Sequence, residues 1–414
     1  MRPGFRLVVV SVYKMVNPVM AYAWGSREGI AAMQGRPAAA APEAELWMGA
    51  HPQAPSTLER PDGQPAGTLD VLIDDRPEAA LGSDVIGRFG KRLPFLLKVL
   101  SAAEPLSLQV HPDDDDARAG FDAEEAAGID RSAPERSYRD PYAKPEMLLA
   151  TSNFELLLGF RAADEAAAVL AGLGVRRLDR AVHALQAGTA TGTVFVDIVS
   201  WPDDERRQLV ADVCEAAASS DESFARWVTF LADRYPDDPG VAGAMLLNHV
   251  HLRPGEAVYV APGQIHAYLE GTGVELLGGS DNVLRGGLTA KQIAIPELRR
   301  VLRVDARRPQ LLPRVADSDG VARWITPRPE FALSQLHVGD DVQLVAGGCP
   351  QILLCIEGKT EVADVGDAAE VVTLGGGESA FITADTGATM IVGHGVVLRA
   401  TPGNLGGPIA KQVS

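Results

Sequence analysis

Six residues, Leu106-Ser107-Leu108-Gln109-Val110-His111, alternate apolar and polar side chains with period two, a pattern that sorts onto two faces only in an extended strand. One face is Leu106, Leu108 and Val110. The other lines up a hydroxyl, an amide and an imidazole, an unusual row for a plain solvent face. Gln109 and His111 are two apart, so their side chains share a face and can chelate one ion. Much later, Ala261-Pro262-Gly263-Gln264-Ile265-His266-Ala267-Tyr268 sets a histidine just after a Pro-Gly turn, where a strand start can aim an imidazole into the mouth of a sheet. A fourth donor is offered by Lys144-Pro145-Glu146, ahead of the apolar Met147-Leu148-Leu149. Two imidazoles, a carboxylate and an amide oxygen suit zinc and leave a position open for substrate. With a single anionic ligand, such an ion keeps positive charge to stabilise an oxyanion. A histidine beside a turn is more often structural than a ligand; the metal reading draws its force from the other polar groups that accompany both histidines.

At 414 residues the chain exceeds the size at which one core stops growing, so two or three units are expected. Apolar content of 46% with 22% charged residues is that of a globular protein and not of a disordered one. The apolar run Leu7 to Val10 is too short to span a bilayer and lacks the cleavage site of a secretory signal, so residues 1–14 read as a leader or first strand. Cys214, Cys349 and Cys355 are odd in number and scattered, which suits buried thiols in a reducing cytoplasm. A net charge of −17 argues against nucleic acid or an anionic membrane as partner, and no protein partner is indicated. A small anion is not excluded, because a local cluster of Lys and Arg can dominate a cleft.

Strand patterns occupy residues 95–111 and return at Val250-His251-Leu252, Val258 to Ala261 and Gly273 to Leu277. Between about 160 and 245 the text turns alanine-rich and helical. Pro202-Asp203-Asp204-Glu205 reads as a helix opening, and Asp221 as the cap of a helix whose apolar positions are Phe224, Trp227, Val228, Leu231 and Tyr235. Arg299 to Leu302 belong to a short helix starting near Pro296. From Phe331 onward short strands dominate: Phe331 to Val338, Gln351 to Ile356, Thr360 to Val362, Ala380 to Thr383, Thr389 to Val392 and Val396 to Ala400. Glu357-Gly358-Lys359 and Gly375-Gly376-Gly377 are read as turns, giving a second β-sandwich or small barrel. The whole is α+β and mainly β.

Six blocks in order carry a resemblance: Asn17 to Ser26, Glu45 to Pro52, Leu93 to Lys98, Ser107 to Asp113, Lys144 to Met147, and Ala261 to Lys291. With them the chain resembles the type I mannose-6-phosphate isomerases, zinc enzymes of the cupin superfamily. The resemblance implies a cupin-type jelly-roll catalytic domain of residues 1–150 and 247–320, an inserted helical domain of residues 151–246, and a C-terminal cupin-like β domain of residues 321–414. It places the zinc ligands on Gln109, His111, Glu146 and His266, a catalytic arginine on Arg285, and the final lysine of the long signature on Lys291. It implies interconversion of mannose 6-phosphate and fructose 6-phosphate, feeding mannose into glycolysis or, in reverse, toward activated mannose. Two positions depart from the family: Ala290 stands where Pro is common, which should loosen a turn, and Tyr142-Ala143 where many members read Asn-His.

Moving a proton between C1 and C2 through an enediolate needs a base, a positive centre at the sugar oxygens and cations for the phosphate. Glu275, on the strand after His266, is the preferred base; the bland alternative is a structural acid paired with Arg285. Arg285 would neutralise the enediolate or the phosphate. Lys98, Ser107, Lys291 and Lys144 are candidate phosphate or hydroxyl contacts, and Trp24 and Tyr268 candidate pocket walls, although Trp24 and Trp47 are the kind of residue more often found in a core. The bland alternative for Lys98 is to snorkel from its apolar strand, although a mid-strand lysine facing a core is costly. His249 and His251 also share a face, but with no carboxylate-rich motif beside them they read as surface or packing residues. His183, His337 and His394 read as solvated or satisfied, and Cys214 as helix packing. Other classes compete: an iron-dependent cupin dioxygenase, for which Gln109 is a poor ligand, and a sugar-phosphate-binding regulator, which would have lost Glu275 or Arg285.

Overall fold

The computed structural model describes residues 10–219, 224–291, 293–316 and 321–404. The chain is α+β and mainly β, and it divides into two compact units: residues 1–101, 274–279 and 312–414, and residues 102–273 and 280–311. No helix among the described residues is long and apolar enough to cross a membrane.

The first unit is built on an eleven-stranded sheet that is open, not a barrel. Its centre is the long pair Gln351–Asp364 and Ala388–Thr401, antiparallel over nearly their whole length. The first strand, Val12–Val16, pairs with Ser379–Ile382, so the segment read as leader or strand is a strand from Val12 on, while residues 1–9 lie outside the described residues. Val12, Leu353, Cys355, Ile382, Ile391 and Val397 close the core of this sheet.

Here the structure corrects the strand count. Glu357-Gly358-Lys359 is not a turn: the strand runs on to Asp364, with a bulge between Cys355 and Glu357. Gly358 has φ +82 and sits so close to the partner backbone that a Cβ would lie 2.1 Å from the His394 carbonyl oxygen. The glycine therefore serves a close approach of two paired strands, which overrides its usual meaning as a break. Thr389 to Val392 and Val396 to Ala400 likewise belong to one strand.

In the second unit, Leu247–Leu252 pairs with Phe154–Phe160, which pairs with the start of His266–Gly278; Leu108–Val110 lies between that start and Leu284–Gly287. Glu146–Ala150 pairs with Ala257–Val260. The helical block holds Ala163–Leu173, Asp179–Gln186, Thr191–Val199, Arg206–Ala217, Ala225–Arg234 and Gly240–Ala244. Residues 154–160 are a strand, so helix begins only at Ala163. The helix expected to open at Pro202 starts at Arg206, residues 202–205 forming a turn closed by Glu205 N–H to the Pro202 carbonyl at 3.0 Å. Asp221, read as a cap, lies outside the described residues. Trp227, Val228 and Leu231 face the core as their spacing requires.

This helical core explains the period-two signal. Leu108 and Val110 are fully buried in one cluster with Leu170, Phe195, Val213 and Leu231. Each contributes about 1.5–3 kcal/mol by burial. Packing that face against helices fixes the register, and the alternation of an extended chain sends Gln109 and His111 to the opposite face.

Candidate metal centre

His111, Glu146 and His266 converge, all buried, with ligand atoms within 4.8 Å of one another. His111 Nε2 lies 3.2 Å from Glu146 Oε1, and His266 Nε2 lies 3.3 Å from Glu146 Oε2. Despite this proximity, His111 Nε2 and Glu146 Oε2 form no hydrogen bond of acceptable geometry. Donors bound to a tetrahedral ion at about 2.0–2.1 Å stand about 3.3 Å apart, so the spacing is that of a coordination shell.

The tautomers agree. His111 Nδ1 is 2.7 Å from the Asn282 carbonyl oxygen and His266 Nδ1 is 3.3 Å from that of Gln264. A carbonyl only accepts, so each Nδ1 carries the proton and each Nε2 turns its lone pair toward the centre. Burial, opposed by Glu146, brings His111 down to about 4, which keeps the ring neutral and fit to ligate at neutral pH. For Glu146 burial works upward, but His111 and Lys144 outweigh it, and the carboxyl is held well below its usual range. Lys144 Nζ lies 3.1 Å from Glu146 Oε1.

Backbone register supplies the rest. Gln109 stands directly opposite His266 on one neighbouring strand and Arg285 on the other, so Arg285, Gln109 and His266 form a row across three strands. Tyr268, buried two residues beyond His266, packs its ring 5.8 Å from that imidazole and 5.5 Å from Phe154, and so backs the site. Ser107 precedes the strand and is half-buried.

Asn282 was not singled out by the sequence, yet it is the hub of the loop that orients His111. Its Nδ2 donates to the carbonyls of Asp140 at 2.7 Å and Tyr142 at 3.0 Å, and its Oδ1 accepts from Arg139 N–H at 2.7 Å. The available signal was its place in Ser280-Asp281-Asn282, inside the long signature. Ala143, one of the departures, is buried in this neighbourhood. At the other departure, Thr289 Oγ1 accepts from Lys291 N–H at 3.1 Å and supports the turn at Ala290.

Arg285 is half-buried, and its guanidinium is pulled down by desolvation and by Arg139. Lys291 is exposed and lowered by Arg285, then by desolvation and Arg139. None of the three has a side-chain ion pair among the described residues. They are mutually repelling cations beside one sheet edge, an arrangement that an anion would relieve. The segment joining Arg285 to Lys291 is tightly held: Leu288 has φ +56, costing about 1–2 kcal/mol for a residue with a Cβ. A Cβ on Gly287 would lie 2.8 Å from the Gly240 Cα. Asp238 fixes the crossing by accepting from Gly240 N–H at 2.7 Å and Thr289 N–H at 3.0 Å.

In the first unit, buried Lys98 places Nζ 3.3 Å from Glu275 Oε2, 3.4 Å from Glu45 Oε1 and 5.0 Å from the Trp47 ring centre. Trp47 in turn donates its Nε1–H to Glu45 at 2.8 Å. Lys98 thus does not snorkel, and the ion-pair partner of Glu275 is Lys98, not the Arg285 of the structural-acid alternative. Trp24 is half-buried and stacks on Tyr22 at 5.7 Å.

His251 is exposed and His249 is buried against the Phe224 ring, in keeping with a surface and a packing role. A carboxylate does accompany them, from a different strand: Glu155 lies opposite His251 in register. His183 and His337 are exposed and His394 is at the surface, as expected, and Cys214 packs against the helical core.

A mainly β α+β chain with an oriented, buried His–Glu–His set is a protein built to hold a divalent ion. The family model for phosphomannose isomerase type I, catalytic domain, matches residues 12–163. The mannose-6-phosphate isomerase of Escherichia coli (strain K12) is 35% identical over 93% of this chain and 98% of its own length. Mannose-6-phosphate isomerase 1 of Arabidopsis thaliana is 33% identical over 83% of this chain and 81% of its own. The crystal structure of the Salmonella typhimurium enzyme bound to its substrate and a zinc atom superposes with a TM-score of 0.87 at 34% identity, covering 95% of this chain and 100% of that one. The chain belongs to the mannose-6-phosphate isomerase family. The cupin-type expectation is in keeping with that family.

Proposed function

We propose that the protein interconverts D-mannose 6-phosphate and D-fructose 6-phosphate, with one zinc ion held by His111, Glu146, His266 and Gln109. The observation that carries this reading is the approach of both histidine Nε2 atoms to Glu146 at 3.2 and 3.3 Å, each ring fixed by a carbonyl behind it. When bound, zinc would supply positive charge at the C1 and C2 oxygens of the sugar. Glu275 takes the proton from one carbon and returns it to the other through an enediolate. Lys98, already flanked by two carboxylates, positions Glu275 and leaves the phosphate to other cations. Arg139, Arg285 and Lys291 take the phosphate dianion, while Lys144 and Ser107 contact sugar hydroxyls and Trp24 and Tyr268 wall the sugar. The run of successive helices from Ala163 to Ala244, with strands before and after it, supports an inserted helical domain between the two parts of a catalytic β domain. Three free cysteines are in keeping with a reducing cytoplasm.

A coupled assay for fructose 6-phosphate formation tests the function. Turnover is expected to vanish with chelation and return with added zinc; activity that survives complete metal removal rejects the zinc role. Arg139→Ala is expected to raise KM for the sugar phosphate about ten- to hundred-fold, the worth of about 1.5–3 kcal/mol for a hydrogen bond to a charged group, with a smaller change in kcat. An unchanged KM removes Arg139 from the phosphate site.

A further inference from the structure

We propose that Glu155, His249 and His251 form a second site for a divalent transition-metal ion, on the strand pair Phe154–Phe160 and Leu247–Leu252. Register places Glu155 directly across from His251, and His249 lies two residues back on the same face. The imidazole centres are 4.3 Å apart. His249 Nε2 is 2.9 Å from Glu155 Oε2 and His251 Nδ1 is 3.8 Å from Oε1, and one ligand atom from each residue lies within 4.8 Å of the others.

An independent observation singles out His249. Its side chain is only 2% exposed, yet its Nδ1 has no hydrogen-bond partner among the described residues. A buried polar atom left unsatisfied costs about 1–3 kcal/mol, and an ion bound at Nδ1 itself, with Nε2 keeping its contact with Glu155, would recover that cost. His251 can close the remaining distance, because 59% of its side chain is exposed and free to change rotamer. Trp227 Nε1–H donates to Glu155 Oε2 at 2.7 Å and Arg226 pairs with Oε1, which fixes the carboxylate in place. The Arg226 charge weakens an ion bound there, so the site is a modest one beside the catalytic centre. Two imidazoles with a shared carboxylate favour zinc, nickel or copper over calcium or magnesium. A concavity of about 720 Å³, lined by His249, His251, Arg253, Glu256 and Arg308 among others, gives an ion and its waters access. Bound there, the ion would clamp the two strands together.

The test uses the full chain with its catalytic site already loaded, titrated with zinc chloride while heat and metal content are followed. Wild type is expected to take up a second equivalent per chain and to gain thermal stability as it does so. His251→Gln and Glu155→Gln are each expected to stop at one equivalent, and the extra zinc should leave their Tm where it was. His251→Gln should also keep wild-type isomerase turnover, which separates this site from the catalytic metal. A wild-type protein that saturates at one equivalent overturns the proposal, as does a second equivalent retained by both variants.

Discussion

Glu146→Gln will yield a folded protein that no longer keeps its metal. Glu146 is 2% exposed, the one anion among the four proposed ligands, and the counter-charge of Lys144 at 3.1 Å. Glutamine preserves the shape and removes the charge. The ion then meets only neutral donors, and Lys144 is left as a poorly compensated ammonium in a dry pocket; breaking such a buried pair costs about 3–5 kcal/mol. Metal content after dialysis is expected to fall from near one ion per chain to near none. Turnover should fall by at least about 10²–10³-fold, the scale of losing electrostatic stabilisation at the reacting oxygens. Metal analysis beside the coupled assay reads both. A variant that retains stoichiometric zinc and normal turnover would remove Glu146 from the ligand set.

The contrasting result is expected from Glu275→Gln: metal content unchanged and turnover down about 10²–10⁴-fold, the usual contribution of a general base. The two variants separate because their residues do different work. Glu275 is buried against Lys98 and has no part in the His111–Glu146–His266 set. Glu45, 3.4 Å from Lys98 Nζ, remains to compensate the ammonium, so the variant should fold and bind sugar phosphate with little change in KM. Turnover within tenfold of wild type would show that another group moves the proton.

Much of the site was legible before any coordinates. The alternation from Leu106 to His111 states which side chains share a face, because period two is a local property of an extended chain. The Pro-Gly turn before His266 and the Lys144-Pro145-Glu146 segment are local signals too, and the six ordered blocks tied them to one family. The helical block was legible for the same reason: apolar spacing at Trp227, Val228 and Leu231 is written into consecutive residues.

What stayed hidden depends on pairing between distant segments. Nothing near Asn282 announces that its carbonyl fixes the tautomer of His111, nor does anything near His249 announce Glu155 across the ladder. Glu357-Gly358-Lys359 looks like a turn until its partner strand continues alongside it. The sequence by itself determined the chemical inventory and the face on which each donor sits, since both follow from residue type and backbone period. Only the tertiary structure decided which donors meet, because strand register is fixed by burying the opposite faces, and that choice is made by the whole core together.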